Sequence, residues 1–170
     1  SPQKSKYASS IAIVTSAGND NDGGDHFPSS CVGVISVAAS ASTGAKAGYS
    51  NWGPRVDIAA PGGNGTGNAS TNFLALTNSG ATSPAADTTS SRAGTSFSAP
   101  LVSGVASLAL SVAPGLSATS LRNLLASTAK PFPDTSNCLT LGCGTGILDA
   151  AAAVRAAAAT TGGTMRATVV

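Results

Sequence analysis

Gly94-Thr95-Ser96-Phe97-Ser98-Ala99-Pro100-Leu101-Val102-Ser103-Gly104 decides how the rest of the chain is read. A Gly-Thr-Ser, then small residues, a Pro near the start and a run of Ala, Val and Leu, describes a serine at the N-terminus of a helix. The backbone N–H of such a serine is one of the orphan donors of the helix start. The helix dipole there favours negative charge. An oxyanion formed during acyl transfer needs both.

Three further stretches lie upstream. Val14-Thr15-Ser16-Ala17-Gly18-Asn19 reads as a strand running into an Ala-Gly-Asn turn. Phe27-Pro28 precedes Val34-Ile35-Ser36-Val37-Ala38, and Tyr49-Ser50-Asn51-Trp52-Gly53-Pro54 leads into Arg55-Val56-Asp57-Ile58-Ala59-Ala60-Pro61-Gly62. With the Gly-Thr-Ser segment, these stretches in this order resemble the subtilisin-like serine proteases, or subtilases, from Ile11 to about Val154. The resemblance is to the C-terminal, serine-bearing part of the catalytic domain. Secreted bacterial members are the most similar, which implies an extracellular, oxidising setting.

The resemblance implies the chemistry residue by residue. Ser96 is the nucleophile, and the Asn19 side chain and the Ser96 N–H are the oxyanion donors. Thr15, Ser16, Ala17 and Gly18 form one wall of the primary specificity pocket, with Asp20 and His26 near its base and rim. A serine nucleophile needs a base to take its proton, and that base needs an orienting acid. The family carries them in the order Asp, His, Ser. His26, the sole histidine, lies beside the Phe27-Pro28 turn and not in the family's histidine helix. It is therefore read as a loop imidazole. Asp57 matches a structural Asp of the Val-Asp-Ile segment. The triad Asp and His are expected on an N-terminal segment of the same precursor, outside this sequence and associated with this chain after proteolytic processing.

Composition narrows the alternatives. The chain has 170 residues, 9 basic and 7 acidic side chains and a net charge of +2. All the acids are Asp. So thin a charge gives no reason to expect nucleic acid or an anionic membrane as partner. The longest apolar region, Leu101 to Ala113, is broken by Ser103, Gly104 and Ser107 and falls short of the roughly 20 residues of a membrane span. No dinucleotide or phosphate-binding glycine motif is present, and no cofactor is expected. Asp20, Asp22 and Asp25 open like a calcium loop but lack its closing Glu, so that reading fails. Structural calcium is compatible with the resemblance, without assigned ligands.

There are three cysteines. Cys138 and Cys143 are spaced for a local disulfide and not for a Cys-x-x-Cys metal pair. Cys31 is then left either as a small buried thiol or as half of a disulfide whose partner sits on the N-terminal segment.

The expected fold is α/β, the C-terminal part of a subtilisin-like three-layer architecture with a mostly parallel sheet and a buried helix after the nucleophile. Ile11 to Thr15 reads as a strand buried on both faces, and Val34 to Ala39 and Val56 to Ala60 read as two more. Phe73 to Leu76 reads as a short strand in a hairpin leading up to Ser96. From Ser96 to Val112 small and apolar residues go all round, which predicts a helix buried on every side. Ser117 should cap a second helix with Leu121, Leu124 and Leu125 on one face, and Asp149 a third, Ala150 to Ala159. Ser1 to Ser10 reads as the end of a preceding helix. Residues 1–159 read as catalytic-domain material and 160–170 as a tail or linker.

Two other functions fit some of these features. A non-catalytic subtilase remnant would act as a binding or scaffold module, but half of a doubly wound sheet exposes apolar edges. An unrelated esterase would need Gly-x-Ser-x-Gly, and Gly94-Thr95-Ser96-Phe97-Ser98 lacks the closing Gly.

Overall fold

Parallel strands need long connections, and this chain supplies them without a helix. In the computed structural model, which describes residues 11–161, β1 (Ile13–Ser16) pairs parallel with β2 (Val34–Ser40), and β2 parallel with β3 (Ile58–Pro61). Ile13 faces Val34 and Val37 faces Ile58, and Ile147 adds a single parallel bridge to Ala59 beyond β3. A separate antiparallel hairpin joins β4 (Phe73–Asn78) to β5 (Asp87–Arg92), so the predicted Phe73 strand is present. Among the described residues four helices follow: α1 (Thr95–Val112), α2 (Ala118–Thr128), the single turn α3 (Cys138–Leu141) and α4 (Ala150–Thr160).

Alternation along the strands sorts the sheet into two covered faces. Ile35, Val37, Ile58 and Ala60 pack on Val102, Val105, Ala106 and Ala109 of α1, with Leu121 and Leu125 of α2 and Ala153 and Ala157 of α4. Ala38 and Ala59 point the other way, onto Phe132, Cys138 and Cys143. All seven positions of β2 are buried, as a central parallel strand requires. The architecture is α/β, with helices on one face of a parallel sheet and the disulfide loop on the other.

Two burial expectations need correction. Strand β1 is not buried on both faces: Ile13 is 48% exposed, because β1 is the edge strand of this sheet. Nor is α1 buried all round. Val102, Val105 and Ala109 face the sheet, but Leu108 is 55% exposed, since no described element covers the outer stripe of the helix. By length and a mean hydropathy of 1.4, α1 would also suffice to cross a membrane. Here it lies against all three parallel strands and α4, as the core helix of the domain.

Smaller differences are local. Strand β3 starts at Ile58 and not Val56, because Val56 N–H bonds back to Gly53 in a turn. The Cys138 loop contains the turn of helix α3, and α4 runs on to Thr160. Both predicted caps form: Ser117 Oγ accepts from Ser120 N–H at 3.1 Å, and Asp149 Oδ1 from Ala152 N–H at 2.9 Å. The helix end expected at Ser1 to Ser10 and most of the expected tail, 162–170, lie outside the described residues.

Two outcomes follow. Leu121 is 1% exposed at the contact of α2 with the core, so Leu121→Ala should cost about 2–5 kcal/mol in urea unfolding. The Ala152 N–H, and after it the Lys130 ammonium, hold the Asp149 carboxyl below its ordinary value. Its stabilising effect is therefore complete above the ordinary carboxylate pKa and disappears as pH falls through the lower folded value. Asp149→Asn should be less stable than the parent at about pH 6, with the gap closing towards about pH 2.

Candidate active site

The two loops that leave the carboxyl ends of β1 and β3 meet at the start of α1, which is where open parallel sheets place their sites. Asn19 comes from the first loop. Its side-chain Oδ1 accepts from the Thr95 backbone N–H at 2.9 Å and from Thr95 Oγ1 at 2.9 Å. Thr95 Oγ1 in turn accepts from Gly18 N–H at 3.3 Å. A sequence-distant amide thus caps the helix, in place of the missing side chain of the N-cap residue Gly94.

Among the described residues no hydrogen bond engages the Nδ2 end of Asn19. A Cβ on Gly94 would sit 3.7 Å from Asn19 Nδ2 and 3.8 Å from Ser96 N. Asn19 Nδ2 and Ser96 N thus lie on the same side of Gly94, with Asn19 Oδ1 beside them at 3.8 Å. The Ser96 N–H belongs to the first helical turn and has no intrahelical acceptor. Phe97 N–H, one residue on, bonds back to Gly94 O at 3.0 Å. Ser96 itself is exposed, on a helix start whose neighbour Thr95 is fully buried. Gly94 N–H donates to Gly62 O at 2.9 Å, and the Tyr49 hydroxyl donates to the same carbonyl at 2.6 Å. Burial pushes the Tyr49 phenol up to about 12, so it remains a donor at neutral pH. Phe73 stacks on Phe97 with ring centroids 5.2 Å apart, which ties the hairpin to the residue after Ser96.

The other predicted residues fall around this point as follows. Thr15, Ser16 and Gly18 are half-buried, Ala17 is buried and Asp20 is exposed. His26 is half-buried, with Nε2 2.9 Å from Asp22 Oδ2 and its N–H on Ser30 Oγ. No hydrogen bond among the described residues joins it to Ser96. The Asp22 carboxyl is held below its ordinary value by the Gly24 N–H and by His26. Asp25 pairs with Arg55 at 3.4 Å. Among the described residues no three His, Cys, Asp or Glu side chains gather as a metal site.

Cys138 and Cys143 are disulfide-bonded with Cα atoms 5.1 Å apart, and Cys31 is a half-buried free thiol among the described residues. Asp57 ties the layers together: Oδ2 accepts from Ser36 N–H at 2.8 Å, and Oδ1 takes Arg122 Nε at 2.9 Å. Sequence reasoning missed Thr95 as a support of the site. Thr95 was readable as part of the Gly-Thr-Ser segment, but its partner lies 76 residues away.

The sequence matches the subtilase family over residues 2–159. The chain belongs to that family. This subtilase chain is 42% identical over 147 residues to an extracellular protease of Xanthomonas campestris, covering 85% of this chain and 23% of that protein. It is 41% identical to an extracellular basic protease of Dichelobacter nodosus, again over 85% of this chain and 23% of the relative. A solved protease structure from Pseudoalteromonas arctica superposes with a TM-score of 0.79 at 42% identity, covering 86% of this chain and 43% of that one. The chain thus spans about a quarter of the length of these curated relatives.

Removing the Thr95 hydroxyl should expose its role in this subtilase. Thr95→Val leaves Gly18 N–H without its buried acceptor and should cost about 1–3 kcal/mol in denaturant unfolding. Thr95→Ser keeps both bonds and should cost less than half as much.

Proposed function

We propose that this chain is the serine-bearing part of a secreted serine endopeptidase that hydrolyses peptide bonds through an acyl-enzyme on Ser96. The observation that carries the reading is that Asn19 Nδ2 and Ser96 N both lie within 4 Å of the Gly94 Cβ position, beside an exposed Ser96. Ser96 Oγ attacks the scissile carbonyl carbon and gives its proton to a histidine base. The carbonyl oxygen takes the charge and accepts from the two donors. The C–N bond then breaks as the histidine protonates the departing amine, and water repeats the sequence to release the acid.

The base and its orienting Asp come from an N-terminal portion of the same precursor. Support comes from His26, which is engaged with Asp22, and from the partial span of this chain against the solved relative. The exposed Ile13 edge and the Leu108 stripe of α1 are apolar surfaces that such a portion would cover. Cys31 is proposed to form a disulfide with it. The Thr15 to Gly18 segment, Asp20 and His26 line the pocket for the residue before the scissile bond. The two relatives named extracellular proteases support secretion.

The test is to co-express the chain with the preceding portion of its precursor, add a fluorophosphonate probe and record intact masses under denaturing conditions. A single label on Ser96, peptide hydrolysis, and loss of both in Ser96→Ala are expected. Asn19→Ala should lower kcat about 10²–10³-fold, the cost known for the equivalent donor in subtilisin itself and carried over from there. Unlabelled, inactive assembled protein would sink the reading and leave a non-catalytic binding module.

A further inference from the structure

We infer that Asn51 is the positioning residue of the oxyanion donor, the side chain on which the Asn19 loop is folded; this rests on the function proposed above. Asn51 is 2% exposed and lies in the loop between β2 and β3. Its Oδ1 accepts from Asp20 N–H at 2.8 Å and from Asp22 N–H at 3.1 Å. Its Nδ2 donates to Ala17 O at 3.1 Å, and its backbone N–H donates to Gly18 O at 3.0 Å. One residue thus fastens the main chain on both sides of Asn19 without touching the Asn19 amide that binds Thr95.

The fit explains the residue types. A side chain at Gly18 would meet Asn51 Nδ2 at 2.3 Å, and Gly18 has φ +112°, so the loop closes on Asn51 only through a glycine. Asp at position 51 would keep the acceptor, lose the donor to Ala17 O and bury a charge. Gln would be too long and Ser could not reach both sides. Lys46 clamps the far side of the same loop. Its buried ammonium donates to Asn21 Oδ1 at 2.7 Å and to Ser50 O at 2.9 Å, and Asn21 N–H donates to Tyr49 O at 2.8 Å. Segment 46–51 is therefore a rigid cradle for residues 17–22. Electrostatic stabilisation of an oxyanion depends on donors fixed before the charge forms, and a shift of about 1 Å costs about a hundredfold in rate.

The experiment is a double-mutant cycle on the assembled protease, using a short chromogenic peptide substrate. Asn51→Asp, Asn19→Ala and the double variant are compared, with circular dichroism and thermal unfolding confirming the fold of each. Asn51→Asp should lower kcat at least about tenfold with KM changed less than about twofold, since the loss falls on the transition state. In the Asn19→Ala background the same substitution should cost less than about twofold, because the donor it positions is already gone. Affinity for a peptide boronate, which forms a tetrahedral adduct on Ser96, should fall with kcat.

An equal cost in both backgrounds would overturn the inference, since a merely structural residue adds independently. Where Asn51→Asp does not fold, Asn51→Ser enters the same cycle and is judged by the same non-additivity. If Asn19→Ala leaves kcat intact, the donor role itself fails and the inference fails with it. A slow Asn19→Ala with additive Asn51 effects sinks only the inference.

Discussion

Asn19 Oδ1 takes two hydrogen bonds from Thr95, through the backbone N–H and through the hydroxyl, and the geometry of the site depends on that contact. It joins a loop after β1 to the first residue of α1 across 76 positions of sequence. Its energetic logic is that of a helix cap. The first N–H groups of α1 have no intrahelical acceptor, and Gly94 offers no side chain, so an acceptor must come from elsewhere. Asn19 meets that need with its carbonyl end. The same act turns its amide nitrogen towards the space beside Ser96. Satisfaction of the helix start and orientation of the Asn19 amide come from the same contact.

The contact is supported from three directions. Thr95 is fully buried, so its hydroxyl must find its partner within the protein. The Tyr49 hydroxyl and the Gly94 N–H share the Gly62 carbonyl, which seats the residue before Thr95. Asp57 holds β3 to β2 and to α2, so the strand that delivers Gly62 is itself fixed. Buried polar networks of this kind are costly when incomplete and rigid when complete. Here the partners come from the loops that parallel strands require, which is why the long helix-free connections of this sheet are compatible with a rigid site.

Much of this was legible in the residues. Val34 to Ala39 is apolar but for Ser36, and the structure buries every position of β2, as a central parallel strand covered on both faces requires. Ser117 and Asp149 announced their helices by cap chemistry that acts within a few residues. What was not legible was long-range. Nothing local marks Thr95 as the partner of Asn19, or Asn51 as the fastening of residues 17–22; an Asn beside Trp52-Gly53 reads equally as a turn residue. The burial of β1 and α1 was misjudged for a related reason. Apolar content reports what a surface would bury, and burial needs a neighbour to be present.

In the proposed endopeptidase the chemistry would be divided along the precursor. The groups beside Ser96, a backbone N–H and the Asn19 amide, are set by contacts within this chain. A histidine base would have to reach Ser96 Oγ within hydrogen-bond distance and would need its own acid. The exposed Ile13 and Leu108 lie on β1 and α1, the two elements that lead to Asn19 and carry Ser96. Covering those apolar surfaces would therefore fix the incoming portion against the elements that hold the donors. The hydrophobic contact that completes the sheet would also be the one that sets the distance from base to nucleophile.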